Sequence, residues 1–162
     1  MHNESENKDL PLVIREMTAA DLPAVVTLEN QSFPDPWPFR SFEEILREPG
    51  WTAIVAEYQN QVVGYACFVT IDVEAHLTNI AVARPHRRKS VAKRLLDRIL
   101  RDVRHRSCEY VILEVRPGNE PAITFYRKHG FRLLYRRPGY YRSPVEDALV
   151  MVYYLADAWK GD

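Results

Sequence analysis

Cysteine is scarce in this chain. Its 162 residues hold only two, Cys67 and Cys108. That is too few for a disulfide framework, and both lie beside predicted strands, as inert thiols of a reducing compartment do. Net charge is missing too: 22 Lys and Arg balance 22 Asp and Glu, so no overall field points to a nucleic acid or a membrane surface. No apolar run approaches the ~20 residues of a membrane span. The opening stretch, Met1 to Asp9, is polar and partly acidic, which excludes a signal peptide and predicts a disordered tail over residues 1–10. Repeats, low-complexity segments and dividing linkers are likewise absent. What remains is a chain 46% hydrophobic and 11% aromatic, enough to bury one sizeable core. These bounds predict a single domain over residues 11–162 in a cytoplasmic protein, with no metal, membrane or nucleic-acid partner.

The hydrophobic periods give the order of elements. Leu12 to Met17 reads as a strand, and Thr18 with Asp21 as a capping box opening a helix that runs to Ser32. Phe33-Pro-Asp-Pro-Trp-Pro-Phe39 is too rich in proline for a helix or central strand, so it is a stiff aromatic loop. Ser41 with Glu44 predicts the cap of a second short helix ending at Pro49. Trp51 to Tyr58 and Val62 to Ile71 form a hairpin around Gln59-Asn60-Gln61, and Ala75 to Val82 is a further strand. Val91, Leu95, Leu96, Ile99, Leu100 and Val103 fall on one face of a helix. A strand at Val111, a helix after Asn119 and strands at Arg132–Arg136 and Ala148–Leu155 complete the order βααβββαβαββ, with Pro138-Gly139 as the last turn. This is mixed α/β. The strand–helix–strand unit over residues 75–115 predicts one parallel pair with a right-handed crossover.

Within the fifth strand, Val111, Ile112, Leu113 and Val115 surround a lone carboxylate, Glu114. The run predicts a strand buried on both faces, where a carboxylate is costly to ionise unless paired or wetted. Its pKa is then expected to rise toward neutrality, which suits a general base. A Glu paired with a neighbouring Arg, or facing solvent, explains the same residue without catalysis. The following helix has Asn119 as N-cap, Pro121 in its first turn and Gly130 as its left-handed stop. Tyr126 lies on its apolar side, where core packing accounts for it equally well.

Ahead of the long helix stands Ala83-Arg-Pro-His-Arg-Arg-Lys-Ser-Val-Ala-Lys-Arg94. Basic and then small residues leading into a helix start suit an anionic ligand, because free N–H groups and the positive dipole end converge there. Arg87, Arg88, Lys89, Lys93 and Arg94 add charges suited to phosphate. A solvated basic face, or a nucleic-acid patch continued by Arg98, Arg101, Arg104 and Arg106, reads the same run differently.

Taken together these segments resemble a known family. Asn79-Ile-Ala-Val82 followed by Arg87-Arg-Lys-Ser-Val-Ala92 is similar to motif A of the GNAT N-acetyltransferases, Gln/Arg-x-x-Gly-x-Gly/Ala. Leu113-Glu-Val-Arg116, Asn119, Ala122-Ile123, Phe125-Tyr126 and Gly130-Phe131 resemble motif B. The Phe33-Pro-Asp-Pro-Trp37 loop and Tyr140-Tyr141, followed by Glu146-Asp147-Ala148, narrow the resemblance to the type that acetylates ribosomal-protein alanine. It spans about Val13 to Leu155.

The resemblance implies a single GNAT-type domain: a mostly antiparallel mixed sheet with one splayed parallel pair and helices on both faces. It implies acetyl-CoA as cosubstrate, its arm bonded to backbone around Ile80, Ala81 and Val82 and its pyrophosphate near Arg87, Arg88, Lys89, Ser90, Val91 and Ala92. By position, Glu114 matches the general base and Tyr126 the general acid; Asn119 and Tyr126 also match contacts to the cofactor arm. The implied acceptor is a peptide or protein N-terminus, with a ribosomal protein as one candidate, entering between the Phe33–Phe39 loop and Tyr140-Tyr141. Acetylation of lysine or a small amine is the alternative, as is a module that binds acyl-CoA without turnover. That last reading arises because Ser90 stands where the motif has glycine, which predicts a weak point in cofactor binding.

Overall fold

Gln59 and Asn60 both hold positive φ, 51° and 60°. This is the type I′ geometry whose twist matches that of flanking strands, and it closes the hairpin of β2 (Trp51–Tyr58) and β3 (Gln61–Ile71). The structure is a computed structural model, and it describes residues 11–87 and 90–155. The expected tail over residues 1–10 lies outside the described residues. Ahead of the hairpin come β1 (Val13–Glu16), α1 (Leu22–Ser32) and α2 (Phe39–Ile45). After it come β4 (Glu74–Val82), α3 (Val91–His105), β5 (Tyr110–Val115), α4 (Glu120–Lys128), β6 (Arg132–Arg142) and β7 (Val145–Tyr154). The order is the expected βααβββαβαββ.

The seven strands form one sheet in the order β1-β2-β3-β4-β5-β7-β6, antiparallel throughout except for β4 beside β5. One apolar cluster joins the sheet to α3 and α4 through Phe68, Leu77, Leu95, Leu96, Ile99, Val111, Leu113 and Met151. The other joins it to α1 and α2 through Leu22, Val25, Phe42, Val55 and Tyr65. The six Val, Leu and Ile residues of α3 are all buried, each worth about 1.5–3 kcal/mol against exposure. At Gly64 a Cβ would meet the Ala81 carbonyl at 3.1 Å and the side chains of Val91 and Leu95 at 3.3 Å. The missing side chain lets the first turns of α3 settle onto β3 and β4. Among the described residues no helix is long and apolar enough to cross a membrane.

β4 carries a bulge. Cys67 of β3 pairs with Asn79 and Phe68 with Leu77, so Thr78 is the extra residue. Its hydroxyl bonds back to the Cys67 carbonyl at 3.1 Å.

Four expectations change in detail. α2 begins at Phe39 with Pro38 as its N-cap; Ser41 lies in the first turn, its N–H donating to the Pro38 carbonyl at 3.0 Å. The helix ends at Ile45 rather than Pro49. Pro138-Gly139 is not the last turn but a bulge within the edge strand β6, between Arg137 and Tyr141. An edge tolerates a residue without an N–H, and Gly139, at φ 59°, donates its N–H to Asp147 at 2.9 Å. The chain reverses instead after Arg142. β5, finally, is not buried on both faces: Val111, Leu113 and Val115 are buried while Tyr110, Ile112 and Glu114 are half-buried. The first set faces α3 and α4; α1 and α2 lie mainly against β2, β3 and β4, leaving the other face of β5 partly open.

Candidate active site

The parallel pairing of β4 and β5 is short. Glu74, Ala75 and His76 pair with Tyr110, Val111 and Ile112, and there it stops, although β4 continues to Val82 and β5 to Val115. Beyond His76 the two strands part and leave a cleft. The Ala83 N–H donates to the Val63 carbonyl at 2.8 Å, which sets the antiparallel alternation with β3. Residues two apart then direct their main-chain groups alike. Ala81 therefore turns its groups toward β3, whereas Ile80 and Val82 turn theirs toward the cleft. Of the three residues expected to meet the cofactor arm through backbone, Ala81 does not; its methyl is buried against α1 and α2.

The N-terminus of α3 stands at the end of this strand. Arg87 turns back, its Nε donating to the Val82 carbonyl at 3.0 Å. Ser90 is the N-cap residue in a left-handed conformation, φ 63° and ψ 13°, and its side chain makes no capping hydrogen bond. A residue without a Cβ is expected at such a φ, which accounts for the motif glycine. Val91 is buried and Ala92 packs at the edge of the same core. Arg88 and Lys89 lie outside the described residues.

Glu114 has a partner that the sequence did not reveal. His76 Nε2 lies 2.5 Å from Glu114 Oε2, with side-chain exposures of 26% and 10%. The carboxylate is thus not alone in an apolar strand, and among the described residues its partner is this imidazole rather than an arginine. It sits on the open face, at the point where β4 and β5 separate. Tyr126 lies on α4 and is buried, its ring edge-on to Phe125 and Phe131 at 5.4 Å. Burial, and then the nearby Tyr141, push its phenol above the ordinary range. No hydrogen bond to its hydroxyl is made among the described residues. Asn119 acts as the N-cap of α4, its side chain accepting from the Ala122 N–H at 3.4 Å.

The open face has two aromatic walls. One is the loop between α1 and α2, where Trp37 meets Phe42 at 5.8 Å and Trp51 at 6.1 Å. The other is the β6–β7 hairpin, with Tyr140 and Tyr141 edge-on at 4.9 Å. Burial raises both phenols, and the nearby Glu114 adds to each shift, which places the hairpin beside the carboxylate. Arg116 fastens the hairpin. Its guanidinium donates to the Ser143 and Pro144 carbonyls at 3.3 and 3.1 Å and lies 4.1 Å from the Tyr141 ring centre. The two thiols are buried; burial, with Glu29 nearby, pushes Cys67 up, so it is held as an inert thiol.

The sequence profile of the Acetyltransferase (GNAT) family matches residues 22–131. The chain belongs to the GNAT acetyltransferases. This acetyltransferase is 30% identical to an N-alpha-acetyltransferase of Sulfolobus acidocaldarius, over 91% of its own length and 95% of the relative's. It is also 30% identical to the ribosomal protein bS18-alanine N-acetyltransferase of Haemophilus influenzae, over 88% and 99% of the two chains. Its fold superimposes on the crystal structure of the ribosomal-protein-S18-alanine N-acetyltransferase of Escherichia coli with a TM-score of 0.82 and 25% identity, covering 94% of this chain and 99% of that one. The acetyltransferase activity and the splayed sheet expected from the two motifs are therefore established. His76 and Arg116 lie at this site through contacts that the sequence alone did not reveal.

Proposed function

We propose that this acetyltransferase acts on the α-amine at a protein or peptide N-terminus, with a ribosomal protein among its acceptors, and that it works in the cytosol. The observation that carries the reading is the Glu114–His76 pair, set on the open face where the strands part and flanked by two aromatic walls. Acetyl-CoA supplies an acyl group on a good leaving sulfur. The cleft fits it: Ile80 and Val82 present main-chain groups along one side, and the N-terminus of α3 closes the end where phosphates would rest. Arg87, Ser90, Val91 and Ala92 are the described residues assigned there, with Arg88 and Lys89 beside them in sequence and Asn119 at the start of α4.

An amine attacks only when neutral. At pH 7 an α-amine of pKa ~7.7–8 is roughly a tenth neutral, a lysine of pKa ~10.4 only a few hundredths of one per cent. One carboxylate assisted by an imidazole suits the first acceptor far better. Glu114 takes the ammonium proton, directly or through water, and His76 holds the carboxylate toward the cleft. The N–H groups of Ile80 and Val82 steady negative charge building on the acetyl oxygen. The C–N bond forms as the C–S bond breaks; Tyr126 donates a hydrogen bond to the departing thiolate, and the proton lost by the acylated nitrogen passes to that thiolate or to water. Transfer is direct, since the buried Cys67 and Cys108 offer no nucleophile.

The test is a panel of N-terminal peptides, lysine peptides and small amines assayed with acetyl-CoA. Preference for peptide α-amines, in kcat/KM, by at least about a hundredfold is expected. Equal or better use of lysine or small amines would overturn the acceptor assignment.

A further inference from the structure

Glu29 is 1% exposed in the middle of α1, where a carboxylate must find donors or cost several kcal/mol. Its donors come from three separate elements. The Tyr65 hydroxyl of β3 donates to Oε1, Asn79 Nδ2 of β4 donates to the same oxygen at 3.1 Å, and the Trp37 main-chain N–H donates to Oε2 at 2.9 Å. No cation is among these partners. An apolar side chain would fill the space without the cost of desolvating a charge, so packing alone does not explain a carboxylate here.

The third donor gives the reason. The loop from Phe33 to Pro38 holds three prolines, Pro34, Pro36 and Pro38, none with an N–H, so it has few means of being fastened through its main chain. Among the described residues, both hydrogen bonds that tie its main chain to α1 run through one residue. The Phe33 N–H donates to the Glu29 carbonyl at 3.1 Å, and the Trp37 N–H donates to the Glu29 carboxylate. The same carboxylate holds Asn79, the neighbour of Ile80, whose main chain faces the cleft. We propose that Glu29 is a positioning residue for acetyl transfer: it fixes the acceptor-side wall, through Trp37, against the strand that borders the acetyl cleft. The inference rests on the open face being the acceptor site.

Glu29→Leu keeps much of the bulk, removes both acceptor oxygens and tests the idea. The acceptor-peptide KM is expected to rise about tenfold or more, with kcat falling less than about threefold and acetyl-CoA affinity unchanged. Tyr65→Phe removes one donor but leaves the Trp37 bond, so its acceptor KM should stay within about twofold of wild type. Amide exchange followed by NMR supplies a readout that needs no turnover. In the wild type the Trp37 amide should exchange at least about tenfold more slowly than solvent-exposed loop amides, and in Glu29→Leu this protection should vanish while that of β3 persists. A wild-type Trp37 amide that exchanges like an exposed loop amide would overturn the proposal. So would Tyr65→Phe matching Glu29→Leu in KM, which would reduce the network to core packing. Were no amine a substrate at all, the acceptor assignment would fail on its own, and the Trp37 amide would still report whether Glu29 holds the loop.

Discussion

His76 and Glu114 meet at 2.5 Å on neighbouring strands, and the last residues paired between those strands are His76 and Ile112. The contact therefore bridges the mouth of the cleft. Two groups that work as a unit give non-additive losses. Glu114→Gln should lower kcat by roughly a hundredfold or more with acetyl-CoA affinity nearly unchanged. His76→Leu should lower it about tenfold, and the double variant should be no slower than Glu114→Gln alone. Steady-state kinetics and calorimetric titration check all three. Near-normal turnover in Glu114→Gln would remove the base assignment.

Tyr126 is expected to act as a hydrogen-bond donor rather than a ready source of protons. Its phenol is pushed above the ordinary range, so it keeps its proton across the working pH and is a weak acid toward a thiolate of pKa ~8.5. Tyr126→Phe should reduce kcat several-fold, as one lost donor of about 1–1.5 kcal/mol implies. The shape of the pH–rate profile between about pH 6 and 9 should not change, because Tyr126 does not titrate there. A profile that loses a limb in the variant would show that Tyr126 does.

Ser90 carries a conformational cost of roughly 1–2 kcal/mol for holding a non-glycine residue in the left-handed region. The folded chain holds it there with no side-chain cap in return, so the cost falls on folding. Ser90→Gly should therefore raise stability by about 0.5–1 kcal/mol after the added unfolded-state entropy, a rise in Tm of about 1–4 °C. Acetyl-CoA affinity should change less than about threefold. Tightening of tenfold or more would place the cost instead at the approach of phosphate to the backbone.

Asp21 should make stability depend on pH in the acid range. Arg15 holds its carboxylate through two bonds of 2.8 Å, with Thr18 adding its N–H at 2.8 Å. The side-chain bond to Arg15 is the chief cause that brings the Asp21 carboxyl below its ordinary value, outweighing burial. With the folded pKa below the unfolded ~3.9, the stabilisation is complete at neutral pH and is lost as pH falls through the folded value. Asp21→Asn should lower stability by about 1–2 kcal/mol at pH 7, a moderate figure because Arg15 retains Glu57 and is a third open to water. The gap between variant and wild type should narrow below about pH 4. Thermal melts over pH 2–7 would show it, and a constant gap would contradict it.

The element order could be read from the chain because each signal was local. The six-residue stripe of α3, the Thr18–Asp21 box and the stop at Gly130 each lie within a few residues. Glu114 stood out as a lone carboxylate in an apolar run, and the roles expected of it and of Tyr126 came from the resemblance to the family's motif B. What stayed hidden depended on partners far along the chain: Glu29 meets Tyr65 and Asn79 only after α1 docks on the sheet. Arg116 was visible within a motif, but its grip on the β6–β7 hairpin required the fold. Pro138-Gly139 misled because a bulge and a turn call for the same residues. The apolar run at Val111 misled because run length says nothing of which face a helix covers.

The extra residue at Thr78 has one more effect. In a regular strand, positions three apart point to opposite sides, yet His76 and Asn79 point to the same one, toward Glu114 and Glu29 respectively. The bulge lies between them and reverses the parity of β4 shortly after its parallel neighbour leaves. Upstream, the strand's count of two brings an imidazole to Glu114; downstream, the shifted count brings an amide to Glu29. Were Thr78 drawn into regular pairing instead, every residue after it would swap faces and Asn79 would turn toward α3. The proposed base and the proposed acceptor wall thus share one surface because the bulge absorbs Thr78, whose own hydroxyl bonds only the Cys67 carbonyl among the described residues.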